Sequence, residues 1–470
     1  MLGTILLQAT PVVEAAEATR IPVAGWVTSL FAAILVLMVL ALALEERLHA
    51  KKSFITGIAA VVSLVLAEGF RLLPTDDLTN SLHEHVEMPV YIAAIDWGVI
   101  AIILGSSIFV DVVSKSGLFA WIAIRLTRLS RGDPLVLLVL YGGMTVVFSA
   151  MLNNVTAMII VGSLSGVSLT KLGQEDKLLG FLLIEGLLTN VGGLLTLISS
   201  VPNIIIGQTA GISFVSFFLV ASPYVVVATA ATLALGSRLF GIHRLGSAEE
   251  RAQAAELVAT FDERDSIESP GFFAFGAVMS VLFILTIATT SVLPVVSDLG
   301  MGFVALAFAA VVLVRFRSDV ERFYSAVDWD LIGFFAALFI VINVMEHAGV
   351  LHAIGVGLSA LLSLPGQAGV LLVASAVASS VTDNIPLAAM LANILRGLGT
   401  EGDSPLWWSV VFGANLGGNI TPIGSASTVV AVTLIHKNGL DLGFARFVRM
   451  AFPYAIVQLV LACLYVMLFL

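Results

Sequence analysis

Four short polar motifs interrupt otherwise apolar stretches of this sequence, and their residue types suit ion binding. Two motifs combine asparagine with threonine or aspartate, and two combine asparagine with paired glycines. Glycine lets a helix leave its regular geometry, and carbonyl oxygens freed there can bind a small cation together with amide and hydroxyl oxygens. Helix N-termini at the same breaks suit an anion instead. The candidate binding residues are Asn153, Asn154, Thr156, Asn190, Gly193, Thr196, Asp383, Asn384, Asn415, Gly418, Asn419, Thr421 and Ser425.

Two acidic residues lie in the same apolar stretches and are candidates for proton coupling. An ionisable side chain is costly inside a membrane, so its presence there points to function. Asp383 belongs to one of the four motifs, whereas Glu185 lies four residues before Thr189 and could instead be a structural partner of a neighbouring helix. We predict that Asp383 exchanges the proton, with Glu185 in support. The predicted Na⁺ ligands are Asn154, Asn190, Asp383 and Asn415.

The composition predicts that helices of a membrane protein carry these motifs. Hydrophobic residues form 59% of the 470 positions, charged residues form 11%, and the mean hydropathy is +1.05. A soluble domain carries about 25% charged residues. About 20 apolar residues span a bilayer as a helix, and the sequence lacks the alternation typical of transmembrane strands. The predicted fold class is an all-α polytopic membrane protein, and the absence of an HExxH motif argues against an enzyme.

The polar motifs recur in the same order in both halves of the chain, which predicts a duplication. Packing between helices would explain the glycines alone, but not asparagine, threonine and serine at matching positions. Each half is predicted to contain a re-entrant hairpin and a broken transmembrane helix, as in transporters built from repeats. The matched segments are 96–97 with 328–329, 116–118 with 348–350, 149–154 with 379–384, and 190–196 with 415–421.

Basic residues predict how the two halves are oriented. Lys and Arg concentrate on the cytoplasmic side, and one topology places every basic cluster of this chain there. In that topology the repeats are inverted, and the protein lies in a cytoplasmic (inner) membrane with its N-terminus outside. The predicted domains are an extramembrane N-terminus over 1–21, a first transmembrane repeat over 22–237, a solvated cytoplasmic linker over 238–270, and a second, inverted repeat over 271–470.

At these motifs the sequence resembles the ion transporter superfamily that contains the ArsB/NhaD permeases, the P protein group, the dicarboxylate/sodium symporters and citrate transporter-like permeases. Residues 151–156 resemble the first hairpin motif of the P protein branch, and residues 382–386 and 414–419 resemble its second-half signature. The resemblance implies two re-entrant hairpins, two broken helices, a scaffold that dimerises, and elevator-type alternating access.

These observations predict a secondary active ion transporter, and the leading hypothesis is exchange of Na⁺ or Li⁺ for H⁺. The alternative is a permease for a small anion or oxyanion, such as arsenite, silicate or a carboxylate, bound by the same helix ends. No cofactor is expected, and the expected partners are a small ion, membrane lipid and a second copy of the chain, without nucleic acid. The predicted contacts bring Asn153, Asn154, Asp383 and Asn384 against Asn190, Thr196, Asn415 and Thr421.

Overall fold

The computed structural model describes residues 23–73, 88–267, 269–316 and 327–470, together with 78–79, 85–86, 321 and 324. These residues are mostly helical, and strands β1 (Leu78–Thr79) and β2 (His85–Val86) form a small antiparallel sheet. The predicted all-α class is confirmed. The predicted N-terminal segment 1–21 lies outside the described residues.

Several helices of the first half begin directly after a polar capping residue. Asp96 accepts a hydrogen bond from the backbone N–H of Val99, so α3 starts after this cap and not at residue 90, where the apolar stretch begins. Short turns at Glu45–Leu48 and Val90–Ala93 and a 3₁₀ turn at Glu175–Lys177 connect the longer helices. The longer helices are α1 (Gly25–Ala43), α2 (Lys52–Gly69), α3 (Trp97–Lys115), α4 (Leu118–Ser130), α5 (Pro134–Met151), α6 (Asn154–Lys171), α7 (Leu178–Gly192), α8 (Val201–Ala210) and α9 (Phe214–Leu239).

After a helix in the linker, α10 (Ala248–Ala259), the second half repeats the same order of elements. Asp328 caps α13 as Asp96 caps α3. The helices α4 and α14, which the apolar pattern did not predict, both follow a glycine with positive φ, Gly117 or Gly349. The helices of this half are α11 (Pro270–Ala288), α12 (Pro294–Arg315), α13 (Trp329–His347), α14 (Val350–Leu362), α15 (Gln367–Ser379), α16 (Asn384–Gly397), α17 (Pro405–Gly417), α18 (Ala426–Lys437) and α19 (Phe444–Phe469).

The predicted interruptions are present in both halves. The helix pairs α5/α6 and α15/α16 each turn at a polar motif, and the pairs α7/α8 and α17/α18 are each separated by a glycine-containing break. At 13 and 14 residues, α15 and α16 are too short to span a bilayer separately, since spanning takes about 20 residues. The second pair therefore has the dimensions of a re-entrant hairpin.

The core of the molecule lies at α7 and α17. Every residue of α7 except Leu179 is buried, and so is every residue of α17 except Pro405. Other helices expose large apolar side chains such as Leu37, Val65 and Val226. Among the described residues, nine helices are long and apolar enough to cross a membrane. The chain is therefore a multi-pass membrane protein with its most buried helices at the breaks.

The two halves are interleaved. α2 of the first half packs along α13 of the second, and α3 packs along α12. Within each half, the first limb of the hairpin packs on the first part of the broken helix, α5 on α7 and α15 on α17. The halves thus share one arrangement of partners, whereas their opposite orientation in the membrane stays a prediction.

The linker between the halves packs against the first half, although the sequence predicted a solvated segment. Val258 and Phe261 are buried. Gly117 has φ +81°, and a β-carbon there would lie 1.9 Å from the backbone oxygen of Ser266. Only glycine permits this close approach, so the end of the linker packs directly against the start of α4.

Glu263 adds an ionic contact between the linker and α4. Its carboxylate accepts hydrogen bonds from Arg128 and, at 2.9 Å, from Arg125. The Arg128 guanidinium is the main cause that lowers the pKa of Glu263. Stability from a lowered carboxyl pKa is present near neutral pH and is lost as the pH falls through that pKa. Because both arginines are exposed, this pair contributes little, and packing dominates the docking of the linker.

We predict that cysteines introduced at 83–87 and 400–403 are labelled by a membrane-impermeant reagent from outside, and those at 250–265 only from inside. The reason is the agreement of the basic clusters with one orientation. Native Cys463 is replaced first, and the measurement is labelling of intact cells against inverted vesicles. Labelling of 83–87 and 250–265 from the same side would contradict the inverted repeat.

Candidate ion-binding site

Asn190, in the last turn of α7, links the first helix break to the second. Its Nδ2 donates to Oδ1 of Asn419 at 2.8 Å and to Oγ of Ser425 at 2.9 Å. Its Oδ1 accepts a hydrogen bond from Oγ of Ser427 at 3.0 Å. All four side chains are buried. The two breaks therefore meet in the interior of the protein through uncharged polar groups.

Asn415, the counterpart of Asn190 in α17, makes the reciprocal connection. Its Oδ1 accepts from Oγ of Ser200 at 2.8 Å, and its Nδ2 donates to Oδ1 of Asn203 at 2.9 Å. Asn203 Nδ2 in turn donates to the backbone oxygen of Gly193 at 2.7 Å. Each asparagine thus binds the break of the other half.

Hydroxyl groups hold each hairpin on the broken helix of its own half. One serine on the hairpin donates to a carbonyl before the break, and one threonine within the break donates to a carbonyl of the hairpin. The geometry is nearly the same in both halves, which supports the alignment of the two halves. The bonds are Ser149 to Thr189 O (2.6 Å) and Thr196 to Ala150 O (2.5 Å), and Ser379 to Ala414 O (2.6 Å) and Thr421 to Ser380 O (2.5 Å).

The residues predicted at the first hairpin tip have different surroundings. Asn154 Nδ2 donates to Oδ1 of Asn190 at 3.3 Å, which is a predicted contact between tip and break. Asn153 is exposed and caps α6 by accepting from the backbone N–H of Thr156 at 2.7 Å. In the second half, Asn384 is buried at the start of α16. The structure thus joins Asn154 to the network but leaves Asn153 outside it.

Asp383, at the tip of the second hairpin, forms an ion pair with Lys52 of the first half. Lys52 is the first residue of α2, and its Nζ lies 3.8 Å from Oε1 of Glu45. The next residue, Ser53, donates a hydrogen bond to Asp330 at the start of α13. The tip therefore lies beside the beginnings of two helices that pair across the halves. Sequence reasoning missed Lys52, because its charge is also explained by a cytoplasmic loop.

Two predicted glycines lie where a side chain would displace the site. A β-carbon on Gly193 would lie 2.6 Å from Oδ1 of Asn154, and one on Gly418 would lie 2.8 Å from Cβ of Ser425. Real β-carbons do not approach other atoms this closely. The glycines are therefore needed for the close approach of neighbouring polar residues.

Gln458 extends the network to α19 and α9. Asn419 Nδ2 donates to its Oε1 at 2.8 Å, and its Nε2 donates to Oγ1 of Thr232 at 2.9 Å. The side chain is fully buried. We did not predict this residue, although a lone glutamine within an apolar helix was an available signal.

The four predicted Na⁺ ligands occupy separate parts of this arrangement. Asn154 and Asn190 are bonded to each other, Asn415 is bonded to Ser200 and Asn203, and Asp383 is paired with Lys52. The hydrogen bonds and the ion pair therefore do not join all four side chains in one cluster. Within the described residues, no three His, Cys, Asp or Glu side chains are grouped to hold a metal ion.

The interleaved scaffold, the hairpins and the helix breaks that meet in the core are features of a polytopic membrane transporter. A sequence model of the citrate transporter family (CitMHS) matches residues 39–413. The chain therefore belongs to this family. The predicted resemblance to the superfamily that includes the citrate transporter-like permeases is confirmed.

Curated relatives agree with this assignment. An uncharacterized transporter of Mycobacterium tuberculosis is 31% identical over 86% of this chain and 92% of its own length. The 46 kDa membrane protein of Mycobacterium leprae is 29% identical over 93% of this chain and 98% of its own length. The human P protein is 25% identical over 79% of this chain and 53% of its own length. The match to the P protein agrees with the resemblance that the hairpin motifs indicated.

Two solved structures share the fold. The YdaH transporter of Alcanivorax borkumensis has a TM-score of 0.55 at 14% identity and covers 89% of this chain and 98% of its own. MtrF of Neisseria gonorrhoeae has a TM-score of 0.52 at 15% identity and covers 97% of each chain. At this level of identity the comparison establishes the architecture alone.

Proposed function

We propose that this chain is a secondary active ion transporter that works by elevator-type alternating access and exchanges Na⁺ (or Li⁺) for H⁺. The observation that carries the proposal is Asp383, a carboxylate at a hairpin tip that is paired with Lys52 from the other half. An ammonium group and Na⁺ are alternative partners for the same carboxylate. Binding of a cation at Asp383 would release Lys52 and change how the hairpin is held on the scaffold helices.

The surroundings of Asp383 support coupling of this contact to movement. Lys52 starts α2, which packs along α13. In an elevator mechanism the ion pair would therefore join the moving hairpin to the scaffold helices. Asp383 also caps α16 by accepting from the backbone N–H of Ile385 at 3.1 Å. Protonation of Asp383 would weaken both contacts, because a neutral carboxyl group neither pairs with an ammonium nor favours a helix N-terminus. Proton and cation would therefore compete for one carboxylate, and each would release Lys52.

The second candidate is transport of a small anion, such as arsenite, silicate or a carboxylate. The observation that favours it is the uncharged character of the central network, which contains Asn190, Asn415 and Ser425 but neither Asp383 nor Glu185. The N-termini of α6, α8 and α18 all carry residues of this network, and helix N-termini attract anions. Membership of a citrate transporter family is in keeping with a carboxylate substrate.

The two candidates are separated by transport in proteoliposomes that contain a pH-sensitive dye. We expect an inward Na⁺ or Li⁺ gradient to drive protons outward from liposomes that contain the wild type, and not from empty liposomes. Arsenite, silicate and citrate are tested in parallel, each with K⁺ as the only cation. Anion uptake without any effect of Na⁺ or Li⁺ on internal pH would overturn cation–proton exchange in favour of the second candidate.

A further inference from the structure

Glu185 is a buried carboxyl group that the ion pair at Asp383 does not use. It lies on α7 and is fully buried. Ser165 of α6 donates a hydrogen bond to its Oε1 at 2.5 Å. Its Oε2 is also buried and has no hydrogen-bond partner among the described residues. A charged carboxylate with a single hydrogen bond is costly to bury, and a neutral carboxyl group avoids that cost.

A series of buried hydroxyl groups begins one helical turn from Ser165. Ser168 lies three residues further along α6, on the same face. Its Oγ lies 2.8 Å from the hydroxyl of Tyr141 on α5, which lies 2.6 Å from Oγ1 of Thr127 on α4. All of these side chains are buried. Side chains three apart on a helix are separated by about 5–6 Å at their β-carbons, a gap that one water molecule can bridge.

The series ends where the α4–α5 loop and the end of the first hairpin meet. Ser130 donates to the backbone oxygen of Thr127 at 2.6 Å and accepts from the N–H of Gly132 at 3.1 Å. Gln174, which follows α6, donates to the backbone oxygen of Gly132 at 3.0 Å, while its own Oε1 is buried without a partner among the described residues. Arg131 in the same loop is exposed, so this end lies at the surface.

The other helices around α7 supply no competing acid. α5, α6, α9, α17, α18 and α19 pack on α7 and contain neither aspartate nor glutamate. Their cationic residues lie at or near helix ends, and the adjoining 3₁₀ turn is charged but exposed or partly exposed. Glu185 is therefore the one acid that these helices enclose. The titratable groups on these elements are Tyr141, Lys171, Glu175, Asp176, Lys177, Tyr224, Arg238, His436, Lys437, Arg446, Arg449, Tyr454, Cys463 and Tyr465.

We propose that Glu185 carries a second proton, beside the one that competes with the cation at Asp383, and exchanges it with the surface through Ser165, Ser168, Tyr141 and Thr127. The O–H bond of the carboxyl group breaks, Ser165 accepts that proton and gives up its own, and each following hydroxyl does the same. Water carries the proton across the two steps that have no direct hydrogen bond, from Ser165 to Ser168 and from Thr127 to the α4–α5 loop. The negative charge left on Glu185 is balanced by the cation that enters the protein. In the predicted topology this loop is cytoplasmic. The proposal rests on the proposed function in that transport must be proton-coupled.

The test compares Tyr141→Phe with Tyr454→Phe in the full-length protein. Both changes remove one buried hydroxyl and keep the ring, but the hydroxyl of Tyr454 has no partner among the described residues and lies outside the series. We expect Tyr141→Phe and Glu185→Gln to slow Na⁺-driven proton flux at least about tenfold, since a positioned proton-transfer group contributes about 100-fold or more. Tyr454→Phe should transport as the wild type. Na⁺ should shift the unfolding temperature of Tyr141→Phe as it does that of the wild type, because Tyr141 lies outside the candidate ion-binding site.

A second measurement does not depend on transport. Infrared spectroscopy of purified protein in D₂O follows deuteration of the Glu185 carboxyl group, whose band is identified by its loss in Glu185→Gln. We expect slower deuteration in Tyr141→Phe than in Tyr454→Phe. Equal rates in the two variants, or no protonated carboxyl band for Glu185 at any pH, would overturn the relay. If the wild-type protein shows no ion-driven proton flux, the proposed function is contradicted. The deuteration rates would then still test whether the relay exists.

Discussion

Asp383→Asn is expected to abolish cation-driven proton flux, whereas Asp383→Glu retains part of it. Asparagine keeps the size of the side chain and can still cap α16, but it neither titrates nor pairs with Lys52. The cation and the proton would then lose the carboxylate for which they compete. The measurement is cation-driven proton flux from proteoliposomes that contain the wild type or one of the two variants.

Lys52→Met is the matched change on the other side of the ion pair. Methionine keeps an apolar stem of similar length and removes the ammonium group that competes with the cation. We expect the apparent affinity for Na⁺ to rise several-fold in this variant, with proton coupling retained. Wild-type flux from Asp383→Asn would contradict the assignment and leave Glu185, or an uncoupled anion permease, as the explanation.

Gly193→Leu and Gly418→Leu are each expected to reduce transport to the level of empty liposomes while the protein still inserts. The new side chain at Gly193 would displace Asn154 from Asn190, and that at Gly418 would displace Ser425. Overpacking of this kind costs about 1–3 kcal/mol, which a folded membrane protein can survive while the geometry of its site is lost. The measurements are ion flux and the elution profile of detergent-solubilised protein after heating.

Gly143→Leu is the control for the glycine substitutions. Gly143 lies within α5, and a β-carbon there would meet no atom within 4 Å. This variant should transport as the wild type. Normal transport by both Gly193→Leu and Gly418→Leu would mean that these glycines serve packing away from the site.

Local features of the sequence were sufficient to locate the hairpins and the breaks. Asparagine, glycine and threonine leave helical geometry for reasons that act within a few residues, so their positions in the sequence predict the positions of the turns. The prediction that the hairpin tips lie against the helix breaks also placed Asn154 close to Asn190. By contrast, α4 and α14 were missed, because short helices that follow a glycine give only a weak apolar pattern.

Contacts between distant segments could not be predicted in this way. Lys52 and Asp383 are 331 positions apart, and nothing in either neighbourhood identifies the other as its partner. The same holds for Gln458, which meets Asn419 only because α19 packs near the second break. Such partners are decided by how whole helices pack, which depends on many weak contacts distributed along the chain.

The pairing of α2 with α13 and of α3 with α12 has a consequence for how the protein is made. When the ribosome has completed the first half, α2 and α3 still lack their main partners, because α13 and α12 of the second half are not yet synthesised. The ion pair of Lys52 with Asp383 and the hydrogen bond from Ser53 to Asp330 likewise form only after the second half has been made. We therefore expect the early helices to remain incompletely packed in the lipid until the second half has been made. Final assembly is then a single late event that joins both halves at once.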